Sequence, residues 1–416
     1  MDIHDFRDSH NFHTAHDAYH AYAPRYLHAL QSYQEEQIER LRLLVNIDSG
    51  TGQIEGINRV ITYLQEWMSA LDFAVTLHGS EQYGNNLVAR RRGKGTLRLL
   101  LVGHVDTVYP RGAASLQPFL VSEQDELVAS GPGVIDMKSG VLMGIYALRA
   151  LFEADFEQFG EIIVCWNNDE EVGSPGSAPL LRELAREVDV ALVLEPTRSA
   201  EILTQARKGA DKYLLEVTGV PAHSGAEPHK GRSAVIELAH KMLAIHSLNS
   251  LFPGTTFNVT RLSSSEPLNV VPDLARCHIS VRAYDERSLQ LASETLEQIA
   301  AGSSVPGTRS RLVRTRGRTP YTTTPEVLRL VEMAQREGAG LGLDMVAERK
   351  GGLSDANVLM ECGVPTLDSL GPVGGGMHDL NREHLRIDSL PIRGALLAGL
   401  IHRLCLSFLT GGKPSA

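Results

Sequence analysis

The stretch RLLLVGHVDTVYP, residues 98–110, decides the architecture. Leu99, Leu100, Leu101 and Val102 form an apolar run without polar alternation, as expected of a strand covered on both faces in a parallel or mixed sheet. His104 and Asp106 follow where that run ends. On open α/β sheets reactive groups collect beyond the carboxyl ends of strands, so one segment predicts both a layer fold and the place of its chemistry. The i, i+2 spacing sends both side chains to the same side of the chain. His104 can then ligate a metal while Asp106 accepts its other ring N–H. An HxD pair alone is more often surface polarity, so the rest of the chain must supply the context.

Upstream, apolar residues at helical spacing (Leu30, Ile38, Leu41, Leu44) predict one helix over 26–47 and a second over 57–71. Segments 74–77 and 86–89 read as strands. Downstream come a helix from about Lys138, a strand at 161–166, a helix at 178–187 and a strand at 190–194. Strands alternating with helices predict an α/β domain, a mixed sheet between helices. Near residue 205 the pattern changes to strand 213–218, helix 233–245, strands 256–262 and 275–283, helix 286–300 and strand 311–315. That βαββαβ order predicts a ferredoxin-like α+β unit. The first pattern resumes with helix 325–337, strand 365–369 and helix 392–409. The expected domains are 1–204 plus 317–416, interrupted by 205–316.

A chain of 416 residues exceeds what one core usually supports, which agrees with two domains. The formal charge is -10 with no long basic run, which argues against nucleic acid or an anionic membrane as partner. Cys165, Cys277, Cys362 and Cys405 lack CxxC spacing, so free thiols in a reducing compartment are expected. The opening MDIHDFRDSHNFHTAHDAYHAY has no apolar core of a signal peptide, and no run approaches the roughly 18 apolar residues of a membrane span. A cytoplasmic protein is expected. His4, His10, His13, His16 and His20 in that opening read as a solvated tail rather than a metal site.

Other candidate residues lie in comparable places. Asp136, in GPGVIDMKSG, stands between a glycine-rich turn and a helix start, where it either caps the helix or carries chemistry. Glu170 and Glu171, in NNDEEVGS, leave a buried strand side by side. They would repel each other unless a cation is near; then one ligates and the other is left as a base. A solvated loop is the alternative. Glu195 ends an apolar strand before Pro196, and His378 follows the glycine-rich loop before the last helix. Two histidines with three carboxylates suit zinc better than calcium or magnesium. With one carboxylate bridging, five ligands suffice for two ions about 3.5–4 Å apart.

These motifs, with LEPT and GVPAHSG and in this order, resemble the glutamate carboxypeptidase family, two-zinc relatives of aminoacylase, acetylornithine deacetylase and succinyl-diaminopimelate desuccinylase. The similarity runs from about Gln37 to the C-terminal helix. It implies that Asp136 bridges two Zn2+ ions (Co2+ or Mn2+ as substitutes), with His104 and Glu195 on one and Glu171 and His378 on the other. Glu170 would be the general base, Asp106 would orient His104, and His223 would stabilise the oxyanion from a lid domain that also forms a homodimer. Asn269 and Arg282 resemble lid residues that engage the substrate carboxylate, Arg316 and Arg318 resemble a segment that favours an acidic C-terminal residue (exposed cations being the alternative), and Gly352 matches a loop near the substrate. Leu353 replaces a glycine of the glutamate-specific branch, which weakens a strict glutamate preference. The implied activity is hydrolysis of an amide or peptide bond beside a free carboxylate in a small acyl-amino acid or peptide. The alternatives are a deacylase and a catalytically silent binding protein of the same fold.

Overall fold

The computed structural model describes residues 21–122, 127–265 and 267–410, and the side chains at 316 and 408–410 lie outside that description. The five histidines of the opening also lie outside it. Two compact units emerge. One holds the described chain up to Leu203, Pro325–Glu348 and the chain from Val364; the other holds Thr204–Thr324 and Arg349–Gly363.

The larger unit begins with helices α1 (Ala23–Ser32), α2 (Gln34–Val45) and α3 (Ile54–Ser69). The single helix expected over 26–47 is in fact two. The chain breaks at Tyr33, whose hydroxyl is held by Glu153 and whose ring lies 4.2 Å beneath the Arg149 guanidinium. Periodicity reports which residues are buried and is nearly blind to a break that leaves the buried face in phase. Strands β1 (Ala74–Ser80), β2 (Gly84–Arg92), β3 (Arg98–His104), β4 (Glu161–Asn167) and β5 (Val190–Val193) follow, with helices α4 (Ser139–Glu153) and α5 (Ala178–Ala185). The sheet order is β1-β2-β4-β3-β5 and then the short strand Thr366–Leu367. β1, β2 and β4 pair antiparallel, whereas β4, β3, β5 and the short strand run parallel. Leu99, Leu100, Leu101 and Val102 are fully buried at the centre, as the sequence predicted. Burying each such side chain contributes about 1.5–3 kcal/mol.

In the smaller unit β6 (Gly209–Thr218), α6 (Ala234–Leu251), β7 (Thr256–Ser264), β8 (Leu274–Ala283), α7 (Glu286–Ala301) and β9 (Arg309–Arg318) form an antiparallel sheet of order β7-β8-β6-β9. Alternate residues Ala275, Cys277, Ile279, Val281 and Ala283 are buried against Leu238, Ile245 and Leu296 of the two helices. Ser233 and Asp285 cap those helices by accepting the N–H groups of Ile236 and Ser288. The buried Lys241 amine satisfies the end of α7 by donating to Ile299 O at 2.7 Å and Gly302 O at 2.6 Å.

The chain returns to the larger unit with α8 (Pro325–Gly340) and α9 (Ser389–Thr410). Ser389–Ser407 is long and apolar enough to cross a membrane, with mean hydropathy 1.2, but 89% of it is buried against α1, α4 and α8. It is a core helix. The α/β unit interrupted by a ferredoxin-like α+β unit is the fold the sequence predicted.

Candidate metal centre

Adjacent parallel strand ends carry the site. β3 finishes at His104 opposite Asn167 of β4, and Leu194, just after β5, donates its N–H to Val102 O at 3.0 Å. His104 is 1% exposed, with Nε2 3.2 Å from Asp136 Oδ1 and 3.9 Å from Glu195 Oε1. The other Asp136 oxygen, Oδ2, lies 3.3 Å from His378 Nε2, and Glu171 Oε2 is 3.3 Å from that same nitrogen. Asp136 therefore offers one oxygen to each histidine. Two sets of donor atoms, each within 4.8 Å of one another, share His104: one adds Asp136 and Glu171, the other Glu170 and Glu195.

Local backbone aims these groups. Gly133 adopts φ +71°, and a Cβ there would come 2.4 Å from Thr107 Cγ2, so only glycine fits. Asp136 and Met137 are non-helical, and α4 has no side-chain cap. Of the two readings of Asp136, capping is thus set aside; its carboxylate faces the histidines. His378 sits at φ +67°, a conformation that non-glycine residues adopt at a cost and that recurs at functional sites.

Electrostatics bind the cluster together. Burial alone would raise the Asp136 carboxyl, but His104 and His378 outweigh it and hold it well below the usual aspartate range. Burial opposes charge on His104, yet Asp106 and Asp136 raise it well above an ordinary histidine. Hydrogen bonds to Asp136 and Glu171 push His378 up to about 10. Burial pushes Glu171 up, with His378 opposing and Asp136 adding to the effect. Carboxylates that converge on imidazole nitrogens in this way fit a divalent cation, because metal binding replaces the shared protons. Mixed nitrogen and oxygen donors favour a zinc-like ion over calcium or magnesium.

Asp106, fully buried, does more than face His104. His104 Nδ1 lies closer to the Asp106 backbone carbonyl, at 3.0 Å, than to its carboxylate, at 3.4 Å. Asp106 Oδ1 accepts the Glu170 N–H at 3.1 Å, while Oδ2 accepts the Glu171 N–H at 3.2 Å and the Thr51 hydroxyl at 2.7 Å. Asp106 thus sets the turn that presents both glutamates. Sequence reasoning missed Thr51, which nothing marks, and Lys138, for which a lone cation in an apolar stretch was the available signal. Lys138 Nζ donates to Leu44 O at 3.0 Å and Ile47 O at 2.9 Å, and burial pulls its pKa down to about 7.

The remaining predicted residues belong to the smaller unit. His223 Nδ1 accepts the N–H groups of Gly225 at 3.2 Å and Ala226 at 3.1 Å, which places the neutral ring's proton on Nε2. Ser224 donates its N–H to Asn269 O at 2.9 Å, so Asn269 adjoins the His223 turn. Arg282, half-buried on β8, donates to Gly351 O at 3.2 Å, and Arg207 donates to Gly352 O at 3.2 Å. Arg316 opposes Lys212 of β6 in the β9 register, and its side chain lies outside the described residues.

The sequence pattern of peptidase family M20/M25/M40 matches residues 100–403. The chain is similar to carboxypeptidase G2 of Pseudomonas sp. (strain RS-16), 33% identical over 381 residues, covering 89% of this chain and 90% of that relative. It is 28% identical over 330 residues to succinyl-diaminopimelate desuccinylase of Xanthomonas campestris pv. campestris (strain 8004), covering 75% and 85%. Aminopeptidase PepT from Bacillus cereus ATCC 10987 shares the fold, with a TM-score of 0.76 at 22% identity over 89% of this chain and 98% of that one. A cluster of histidines and carboxylates, buried at His104 and Asp136 and open to solvent at His378, lies within the matched span and is what a metal-dependent hydrolase requires. The chain belongs to peptidase family M20/M25/M40, and it is a metallohydrolase of peptide or amide bonds.

Proposed function

We propose that this enzyme is a carboxypeptidase or N-acyl amino acid amidohydrolase, cleaving an amide beside a free carboxylate with two zinc ions. The observation that carries the two-ion reading is Asp136, whose two oxygens address His104 at 3.2 Å and His378 at 3.3 Å. In this reading Asp136 is shared, His104 and Glu195 hold one ion, and Glu171 and His378 hold the other. When bound, such a pair supplies a polarised substrate carbonyl and a more acidic water. Glu170 takes the proton from the attacking water and returns it to the leaving nitrogen. It lies within reach of His104 and Glu195, so its part as base or ligand is decided by metal content after substitution.

Residues 205–316 act as the lid. His223, with its proton on Nε2, donates a hydrogen bond to the developing oxyanion. Arg282 and Asn269 receive the substrate carboxylate, for which a guanidinium is suited by its planar donors, while Arg316 favours an acidic C-terminal residue and Gly352 belongs to a loop near the substrate. A homodimer through this unit is supported by the edge strand β7 and by exposed Ile236, Leu243, Leu251 and Leu262. Scattered cysteines without CxxC spacing support the cytoplasm.

A substrate panel with one acyl group and a varied C-terminal residue (Glu, Asp, neutral, basic) tests the assignment. Turnover that persists when the free carboxylate is amidated would overturn it. A deacylase is the second reading, favoured by the similarity to succinyl-diaminopimelate desuccinylase. Varying the acyl group at fixed amine separates the two. The presence of Glu170, the proposed base, speaks against the silent binding protein of the same fold.

A further inference from the structure

Glu383 stands five residues beyond His378 and is 1% exposed, a buried acid outside the donor cluster. Its Oε1 accepts the backbone N–H groups of Ile135 at 3.0 Å and Asp136 at 3.2 Å. Its Oε2 accepts the N–H of Gly133 at 3.1 Å and the Tyr109 hydroxyl at 2.5 Å. A carboxylate has about four acceptor sites and no donor, so these four donors saturate it. A neutral amide in its place would turn a donor toward at least one of them.

The recipients matter more than the number. The 133–136 loop leaves helical geometry at Asp136 (φ -113°, ψ 93°), and buried N–H groups in such a loop need an acceptor from elsewhere. Glu383 is that acceptor for three of them, including the amide of Asp136 itself. Tyr109 follows the segment that carries His104 and Asp106, and Glu383 belongs to the segment that carries His378. One carboxylate thus joins the three stretches of chain whose side chains meet at Asp136.

We propose that Glu383 is a positioning residue of the metal centre: held by Tyr109 and the 133–136 amides, it fixes where the Asp136 carboxylate stands between His104 and His378, and so sets cation affinity. It lies outside the donor groups gathered around His104. The inference rests on Asp136 as the shared ligand.

Chelator-stripped protein titrated with Zn2+ or Co2+ against a chromophoric chelator, with the Co2+ absorption spectrum and metal-free thermal unfolding recorded alongside, tests this. Glu383→Gln should bind metal about 10–100-fold more weakly, the usual effect of losing a partner that orients a ligand. Its Co2+ spectrum should change, and kcat should fall while KM stays within a few-fold. Tyr109→Phe, which removes one hydroxyl and spares the fold, should move affinity and spectrum in the same direction by a smaller factor. Lower metal-free stability with unaltered affinity and Co2+ spectrum in Glu383→Gln would reduce Glu383 to a fold contact and overturn the proposal. If Glu383→Gln does not fold, an unaltered Tyr109→Phe overturns it. Asp136→Asn separates the underlying reading: if that variant titrates like the parent, the assignment of Asp136 fails, whatever Glu383 does.

Discussion

Replacing Asp106 by asparagine changes one atom and no volume, so its effect isolates the acceptor role of that carboxylate. Oδ1 serves the Glu170 amide at 3.1 Å and Oδ2 serves the Glu171 amide at 3.2 Å, in a fully buried setting. Whichever way the asparagine amide is turned, its NH2 meets one of those two N–H groups. Leaving a buried donor unsatisfied costs about 1–3 kcal/mol, and hydrogen bonds to a charged acceptor contribute about 1.5–3 kcal/mol each. The Thr51 hydroxyl can rotate to accept instead of donate, so it offsets little. A total penalty of roughly 2–4 kcal/mol is therefore expected, divided between global stability and the placement of the Glu170–Val172 turn. If half of it reaches the transition state, kcat/KM falls about 5–30-fold, since 1.4 kcal/mol is a factor of ten. Asp106 is not among the proposed ligands, but it holds the turn that presents Glu171 and lies beside His104, so metal affinity should also weaken, by up to about 10–100-fold. The assays are denaturant unfolding of the metal-loaded protein, steady-state kinetics and elemental analysis. A variant with the parent's stability and a kcat/KM within twofold of it would show that these hydrogen bonds do not hold the turn.

Other substitutions address the site and the scaffold. Glu170→Gln should retain its metal and lose about 10²–10⁴ in kcat, the usual contribution of a general base; loss of metal on elemental analysis would make Glu170 a ligand. His402 is held down to about 4 by burial, with Arg25 and Arg403 adding. Between that value and the unfolded 6.5 the unfolded chain binds more protons, so stability is full above 6.5 and falls as pH drops toward 4, by about 3 kcal/mol. His402→Phe should flatten that part of the stability profile relative to the parent, and an unchanged slope in pH-dependent unfolding would refute the linkage. The fully buried Glu337 carboxylate accepts the N–H groups of Tyr22 and Ala23 at 2.7 Å and pairs with Arg403 at 2.5 Å. Glu337→Gln should destabilise the metal-free protein by about 1–3 kcal/mol, because its NH2 must face either the Tyr22 and Ala23 amides or the Arg403 guanidinium, with faster amide exchange in α1; an unchanged stability would contradict it.

The residues that set the layers were legible in the chain itself. The run at 99–102 could be read because a strand buried on both faces has no room for polar alternation. Alternation at 275–283 could be read because β8 buries one face only. The histidines and carboxylates beyond the strands were legible for a related reason, since charged groups at the end of an apolar run have few purposes. What periodicity could not contain is pairing between polar groups far apart in the chain. Glu337 meets the start of α1 across 314 residues, and the Asp106 carboxylate meets the Glu170 amide across 64. Glu383 reads in sequence as one more acid beside an arginine, and Tyr33 as one more buried position on a continuous helix. Hydrophobic burial leaves a local, repeating trace because it depends only on which way a side chain points. A buried hydrogen bond depends on where its partner arrives, and that is decided only when the whole chain has packed.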